Sequence, residues 1–69
     1  MSEALGNRLR ELREDRGWTQ AELAARIGVS RKTVNTIENR VFVPSTLIAL
    51  KLARTLDLPV EELFSISSD

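Results

Sequence analysis

The side chains of this chain that could do chemistry are suited to hydrogen bonding rather than to catalysis. Four of them recur at spacings of three and four residues between positions 31 and 36, which places them on one face of a helix. They are Arg31, Lys32, Asn35 and Thr36. Because the apolar residues Val34 and Ile37 occupy the opposite face, the polar row is either a solvated surface or a surface that binds a polar partner.

Catalytic and metal chemistry are excluded by composition. The chain contains neither His nor Cys, so Ser–His–Asp and Cys–His arrangements, disulfides and thiolate metal sites are all impossible. Glu61 and Glu62 are adjacent on a predicted helix and point in different directions, so they are unsuited to act as an acid–base pair. The three glycines are dispersed and form no phosphate-binding loop. We therefore expect no enzyme activity, no metal site and no cofactor.

Charge is distributed unevenly along the 69 residues, which we expect to form one domain, 1–69. The formal net charge is zero, but residues 1–54 hold all ten basic residues and six acidic ones. Residues 55–69 hold four acidic residues and no basic one, so a neutral chain can still carry a basic face. No segment has the pattern of a membrane-spanning helix or a signal peptide, and we expect a cytoplasmic protein that binds no membrane.

Hydrophobic periodicity predicts an all-α chain of five helices. They cover about residues 3–16, 19–27, 30–39, 45–56 and 60–64, and a short extended tail, SISSD, can follow them. In the first helix, Leu5, Leu9 and Leu12 form the apolar stripe. Pro44 stands at the start of the fourth helix, and Pro59 separates the last two helices.

Residues 19–39 predict two short helices joined by a very tight turn. Thr19 and Glu22 have the spacing of a capping box, which marks the start of the first of these helices. Gly28 supplies the positive φ that ends it, and the small side chain of Ala24 allows the two helices to touch at a steep angle. This arrangement is a helix-turn-helix.

The stretch TQAELAARIGVSRKTVNTIEN resembles the helix-turn-helix of the phage repressor and Cro-like family of DNA-binding regulators. RLRELREDRGWTQAELA resembles the first helix of that family, and VPSTLIALKLARTLDLPVEELF is similar to its fourth and fifth helices. The resemblance covers about residues 7–64 and implies a compact repressor-like domain of five helices. It also implies a sequence-specific transcriptional regulator of double-stranded DNA, which we expect to be a repressor.

The resemblance also assigns roles to individual residues. Those matched to base contacts are Gln20, Arg31, Lys32, Asn35 and Thr36. Thr19 and Asn39 match phosphate-binding positions, and the charge and location of Arg40 add a third phosphate contact. By their chemistry, an Arg suits guanine, an Asn suits adenine, and the methyl group of a Thr suits that of thymine.

The charged residues of the first helix have two expected roles. The resemblance pairs Arg13 with Glu38 at the end of the third helix, in an ion pair that joins the two helices and contacts no base. The other arginines of the first helix are expected to be solvated and to pair with acids of the same helix. These are Arg8, Arg10 and Arg16, with Glu11, Glu14 and Asp15 as partners.

Three features depart from the usual pattern of the family. Arg40 and Val41 stand where the family often has Gly and Lys. Residues 41–43, VFV, are more apolar than the corresponding loop usually is. Leu47 stands where a polar residue is usual, so we expect it to form an exposed apolar patch with Leu50.

The C-terminal region 57–69 is the predicted dimerisation region. Its apolar residues are too many for so short an ending unless some of them pack against a partner, although all of them could instead close the core of the monomer. They are Leu58, Pro59, Val60, Leu63, Phe64 and Ile66. We expect a homodimer on a palindromic operator, with no small-molecule ligand. An antitoxin-type regulator that binds a toxin, and a helical protein-interaction module without DNA binding, remain as alternatives.

Overall fold

A computed structural model describes residues 3–68, and within this range the chain forms five α-helices and two short β-strands. In chain order these are β1 (Glu3–Asn7), α1 (Leu9–Asp15), α2 (Gln20–Ile27), α3 (Arg31–Glu38), α4 (Thr46–Leu56), α5 (Val60–Leu63) and β2 (Phe64–Ser68). The two strands pair antiparallel, with Ala4 opposite Ser67 and Asn7 opposite Phe64. No helix within 3–68 is long and apolar enough to cross a membrane.

The five predicted helices are confirmed, but the all-α prediction was wrong at the N-terminus. Residues 3–7 form a strand instead of the first turns of α1. Gly6 lies opposite Ser65 in the sheet, and a Cβ atom at Gly6 would lie only 3.3 Å from the Ser65 hydroxyl oxygen. Asn7 then ends the strand, because its side-chain oxygen accepts a hydrogen bond from the backbone N–H of Leu9 at 3.1 Å. This bond satisfies a free N–H group at the start of α1.

Local capping starts the three central helices where the sequence predicts it. The Thr19 hydroxyl accepts from the Glu22 N–H at 3.0 Å, and the Glu22 carboxylate accepts from the Thr19 N–H at 2.9 Å, which completes the capping box. Ser30 and Ser45 cap α3 and α4 in the same way, each accepting a backbone N–H bond at 3.2 Å. Gly28 ends α2 with φ at 72°. The bounds of α2 and α3 are therefore set by side chains within three residues of each start.

One hydrophobic core joins all five helices and holds α2 against α3. Its buried members are Leu9, Leu12, Leu23, Ala24, Ile27, Val34, Ile37, Leu52, Leu56 and Leu63. Trp18, Val29, Ile48, Leu58 and Phe64 pack against this cluster from its edge. Since each helix contributes at least one buried residue, the orientation of α3 is fixed by the whole fold rather than by α2 alone.

The apolar residues predicted for dimerisation divide between the core and the surface. Leu63 is 1% exposed and lies within the core of the chain itself, so its side chain has no surface to offer a partner. Leu58 and Phe64 also pack on the core, and Val60 is half-buried. Ile66 is 75% exposed, and Pro59 is exposed. The second reading of this region, closure of the monomer core, therefore accounts for about half of the set.

Candidate nucleic-acid interface

The turn between α2 and α3 brings the two helices together as a helix-turn-helix. Gly28 adopts the left-handed conformation that a residue with a side chain rarely takes, and the Val29 N–H donates back to the Ala24 carbonyl at 3.0 Å. Ala24 is 3% exposed and lies in the core that the two helices share. The small residue and the glycine thus have the roles that their positions predict.

The outward face of α3 carries unpaired cations. Arg31, Lys32 and Asn35 are exposed, and Thr36 is half-buried on the same side. Among residues 3–68, no carboxylate forms an ion pair with Arg31 or Lys32. The positive charge of both side chains is therefore available to an external anion.

The only acid of α3 is turned away from this face. The Glu38 side chain is 0% exposed, and the Arg13 guanidinium of α1 holds it through two bonds, Nε to Oε2 at 2.7 Å and Nη2 to Oε1 at 3.3 Å. A third bond runs from Arg13 Nη1 to the Trp18 carbonyl at 2.7 Å. The pair joins α1 to the end of α3, which is the location that the resemblance implies for it.

The Arg13–Glu38 contact also sets the charge state of both groups. Burial by itself favours the neutral form of Glu38, but hydrogen bonds from Arg13 and Gln20 outweigh it and lower the pKa of Glu38 below its ordinary value. The hydrogen bond with Glu38 raises the pKa of Arg13. Both groups are therefore charged at neutral pH, and the two charges neutralise each other inside the fold.

Glu38 also belongs to a closed ring of hydrogen bonds among polar side chains. Gln20 Nε2 donates to Glu38 Oε1 at 3.0 Å and to Asn35 Oδ1 at 3.2 Å. Asn39 Nδ2 donates to the same Asn35 oxygen at 3.0 Å, and Asn39 Oδ1 accepts from Arg10 Nη2 at 3.0 Å. Arg10 Nε closes the ring at 3.4 Å from Glu38 Oε1. The ring ties two residues predicted to contact bases, Gln20 and Asn35, to the ion pair behind them.

Comparison with known proteins agrees with this geometry. A family model described as helix-turn-helix matches residues 9–63. The chain belongs to the helix-turn-helix family of DNA-binding transcriptional regulators. It is 36% identical over 63 residues to YgzD, an uncharacterized HTH-type transcriptional regulator of Bacillus subtilis, and the match covers 91% of this chain and 96% of that protein. Antitoxin HipB of Escherichia coli O6:H1 is 35% identical over 54 residues, covering 78% of this chain and 57% of the antitoxin.

Solved structures give the same family. The restriction-modification controller protein C.AhdI of Aeromonas hydrophila superposes with a TM-score of 0.77 at 42% identity, over 83% of this chain and 86% of that chain. SinR, a master regulator of biofilm formation solved in complex with DNA, superposes with a TM-score of 0.72 at 29% identity, over 78% of this chain and 87% of that chain. The resemblance inferred from the sequence is thus confirmed, and the family is one of regulators rather than enzymes.

Within this helix-turn-helix domain, the first-helix arginines differ partly from expectation. Arg8 pairs with Glu11 at 3.2 Å, as predicted. Arg10 instead reaches across to α3, and Arg16 donates to the backbone carbonyls of Leu12 and Leu56. Prediction from the sequence missed the role of Arg10 in the ring. Its position three residues before Arg13, on one face of α1, is the signal that could have indicated it.

The three residues predicted to bind phosphate lie in different settings. Thr19 is exposed at the start of α2, where its hydroxyl caps the helix. Asn39 is exposed at the end of α3 and is held by the ring. Arg40 follows with φ at 60°, and its guanidinium extends toward β1 beside Gly6. All three are accessible, but Arg40 is directed to the side where the sheet lies.

The loop after α3 is fixed against the helix and exposes apolar side chains. The Thr36 carbonyl accepts from the N–H of Val41 at 2.9 Å and from that of Phe42 at 3.2 Å. Val41 is 78% exposed, Phe42 44% and Val43 70%. A cleft of about 320 Å³ lies between the loop and α3. Its lining residues are Ser30, Lys32, Thr33, Thr36, Val41 and Phe42.

Proposed function

We propose that this regulator binds a palindromic operator in double-stranded DNA as a homodimer and acts there as a repressor. The observation that carries the proposal is the charge of α3. Its only acid, Glu38, is buried and neutralised by Arg13, whereas Arg31 and Lys32 are exposed and form no ion pair within residues 3–68. A neutral chain thus presents a positive helix face, and phosphate attraction supplies much of the affinity for DNA.

The proposed base contacts follow from the groups left free on α3. Arg31 and Lys32 are suited to the O6 and N7 acceptors of guanine. Asn35 is proposed to act as a donor, because its side-chain oxygen already accepts bonds from Gln20 and Asn39. Pairing with adenine requires both a donor and an acceptor, so Asn35 would have to leave the ring to recognise adenine in the usual way.

The remaining contacts in the proposal are with the sugar-phosphate backbone. Thr19 and Asn39 would bind phosphates beside the ends of α2 and α3, and Arg40 would add a third contact from the following loop. Gln20 lies at the first position of α2, and its free side-chain oxygen would accept from a base at the edge of the site. The proposal also places the protein in the cytoplasm together with its DNA.

The homodimer is the part of the proposal that concerns the C-terminal half. We treat 1–69 as one DNA-binding domain whose partner contacts come from 57–69 and from the exposed face of α4. Leu47 is 62% exposed, Leu50 56% and Ile66 75%, which supports an apolar surface for a second copy. A two-fold dimer would bind half-sites roughly 34 Å apart. Sedimentation equilibrium tests this, and a monomer that persists unchanged at high micromolar concentration would contradict it.

Selection from random duplex DNA, followed by substitution of Arg31, tests the base contacts. Arg31→Ala should relax the preference at one position of each half-site, at a cost of about 1–3 kcal/mol in binding free energy. Arg54→Ala is the matched control, because Arg54 is an exposed arginine of α4 without an ion pair in the described residues. Equal weakening of all sequences by Arg31→Ala would make Arg31 a phosphate contact instead.

The two alternatives have less support. The antitoxin match covers 57% of that protein, so the likeness carries the shared helix-turn-helix better than it carries a toxin-binding role. A protein-interaction module without DNA binding leaves the unpaired cations of α3 without a purpose. A gel-shift experiment with the DNA upstream of its own gene separates both from the main proposal: an antitoxin binds DNA and changes its shift when a toxin is added, whereas an interaction module gives no shift.

A further inference from the structure

The cleft beside α3 has a chemistry that differs from the rest of the proposed DNA surface. Its floor is the loop that carries Val41 and Phe42, and its wall is the face of α3 that carries Lys32 and Thr36. We propose that this cleft, here called the Thr36–Phe42 cleft, receives the 5-methyl group of a thymine in the major groove. The inference rests on the proposed function, because it assigns a base-specific contact within the same DNA site.

Hydrogen bonds inside the cleft leave apolar groups for a ligand. The Thr36 hydroxyl donates to the Thr33 carbonyl of its own helix at 3.0 Å, so the methyl group of Thr36 is the part left for an outside contact. The Thr36 carbonyl is also occupied, since the N–H groups of Val41 and Phe42 both donate to it. These bonds attach the loop to the helix, and the Phe42 ring remains 44% exposed there. The cleft is thus an apolar site that is formed before DNA binds.

The position of the cleft indicates which ligand it suits. Lys32 and Thr36 are one helical turn apart on α3, and Lys32 also lines the shallow groove that contains Arg31 and Asn35. The cleft is therefore continuous with the proposed base-contacting row, and it is bordered by an unpaired cation that favours a polyanion. The apolar group that unmodified bases present in the major groove is the thymine methyl, for which Thr methyl and Phe are suitable partners.

Replacement of thymine by deoxyuridine in the selected operator tests the proposal, because deoxyuridine lacks only the 5-methyl group. Each thymine of both half-sites is replaced in turn, and the Kd is measured at fixed salt for the wild type, Phe42→Ala and Val43→Ala. For the wild type, we expect one thymine per half-site at which removal of the methyl weakens binding by about fourfold, the factor for one buried methyl-sized group. For Phe42→Ala, this ratio should approach one at the same position. For Val43→Ala, it should be unchanged, since Val43 is equally apolar but does not line the cleft.

A second variant guards against misfolding of Phe42→Ala. Thr36→Ser keeps the hydroxyl that bonds to Thr33 and removes the methyl, and it should also reduce the thymine-to-deoxyuridine ratio. The proposal is overturned if the protein selects an operator but tolerates deoxyuridine at every position, or if Phe42→Ala keeps the wild-type ratio. If Phe42→Ala lowers the sedimentation mass and leaves the ratio unchanged, the cleft is a protein contact and the proposal is also wrong. Failure to select any DNA sequence would instead refute the proposed function itself.

Discussion

Removal of one member of the Arg13–Glu38 pair should destabilise the domain much more than removal of both. The variants are Arg13→Met, Glu38→Met and the double variant. Methionine retains an unbranched apolar side chain in each position and removes only the charge and its hydrogen bonds. Each single variant therefore leaves the opposite charge inside the fold without its partner, whereas the double variant leaves none.

The expected magnitude follows from burial. The Glu38 side chain is 0% exposed and that of Arg13 10%, so the loss of one partner should cost about 3–5 kcal/mol of unfolding free energy, rather than the 0–1 kcal/mol of a surface pair. In Arg13→Met, Glu38 keeps bonds from Gln20 at 3.0 Å and Arg10 at 3.4 Å, which places the charge effect near the lower limit. The same variant loses the bond to the Trp18 carbonyl, which adds about 1 kcal/mol. The double variant should lose only about 1–2 kcal/mol.

Urea unfolding measured by Trp18 fluorescence gives these values directly. Trp18 is the only tryptophan of the chain and lies against the core, so its emission reports on the packing around Arg13. A domain of this size has about 3–10 kcal/mol in total, so a single variant that is unfolded without urea next to a double variant that folds also supports the argument. The reasoning is refuted if each single variant loses less than about 1 kcal/mol, or if the two losses simply add in the double variant.

Three further predictions concern pH and backbone conformation. Since the pKa of Glu38 is lower in the folded state than in the unfolded chain, its contribution to stability should be complete above the ordinary value of about 4.3 and be lost as the pH falls through the folded-state pKa. Urea midpoints measured between neutral and acid pH should therefore fall less steeply for Glu38→Met than for the wild type. Gly28→Ala should cost about 1–2 kcal/mol from its φ of 72° alone, because no atom lies within 4 Å of the new Cβ, and a smaller loss in the same assay would contradict this. Arg40→Gly should relieve a φ of 60° and raise the unfolding free energy by about 1 kcal/mol or less, while it lowers DNA affinity and reduces the salt dependence by about one phosphate contact. An unchanged salt slope would show that Arg40 contacts no phosphate.

The parts of the fold that were predictable from the sequence depend on short-range chemistry. The Thr19–Glu22 capping box and the Gly28 turn need only groups within three or four residues of one another, and both occur as predicted. The Arg13–Glu38 pair connects residues 25 positions apart, and it was predictable only because the whole helix-turn-helix resembles a known family. Its burial could not be inferred, since burial depends on how α1, α2 and α3 enclose it.

The sheet escaped prediction because its two strands lie at opposite ends of the chain. Leu5 continues the spacing of Leu9 and Leu12, so the local pattern of β1 is indistinguishable from one more helical turn. The strand forms because Gly6 permits close approach to Ser65, a contact between residues almost the full chain apart. Nothing in the local sequence of either strand specifies this pairing.

The ring of hydrogen bonds around Glu38 explains how an acid can stand on a helix that binds DNA. An exposed carboxylate on α3 would repel phosphate, yet the end of α3 needs an anion to hold the Arg13 guanidinium of α1. Complete burial of Glu38 satisfies both requirements, because its charge is compensated within the fold and is not accessible to the DNA. Gln20 then transmits the position of Glu38 to Asn35 through a single amide group that bonds to both. A count of charges along α3 would include Glu38 as a penalty for DNA binding, whereas the structure makes it the group that orients the helix face beside it.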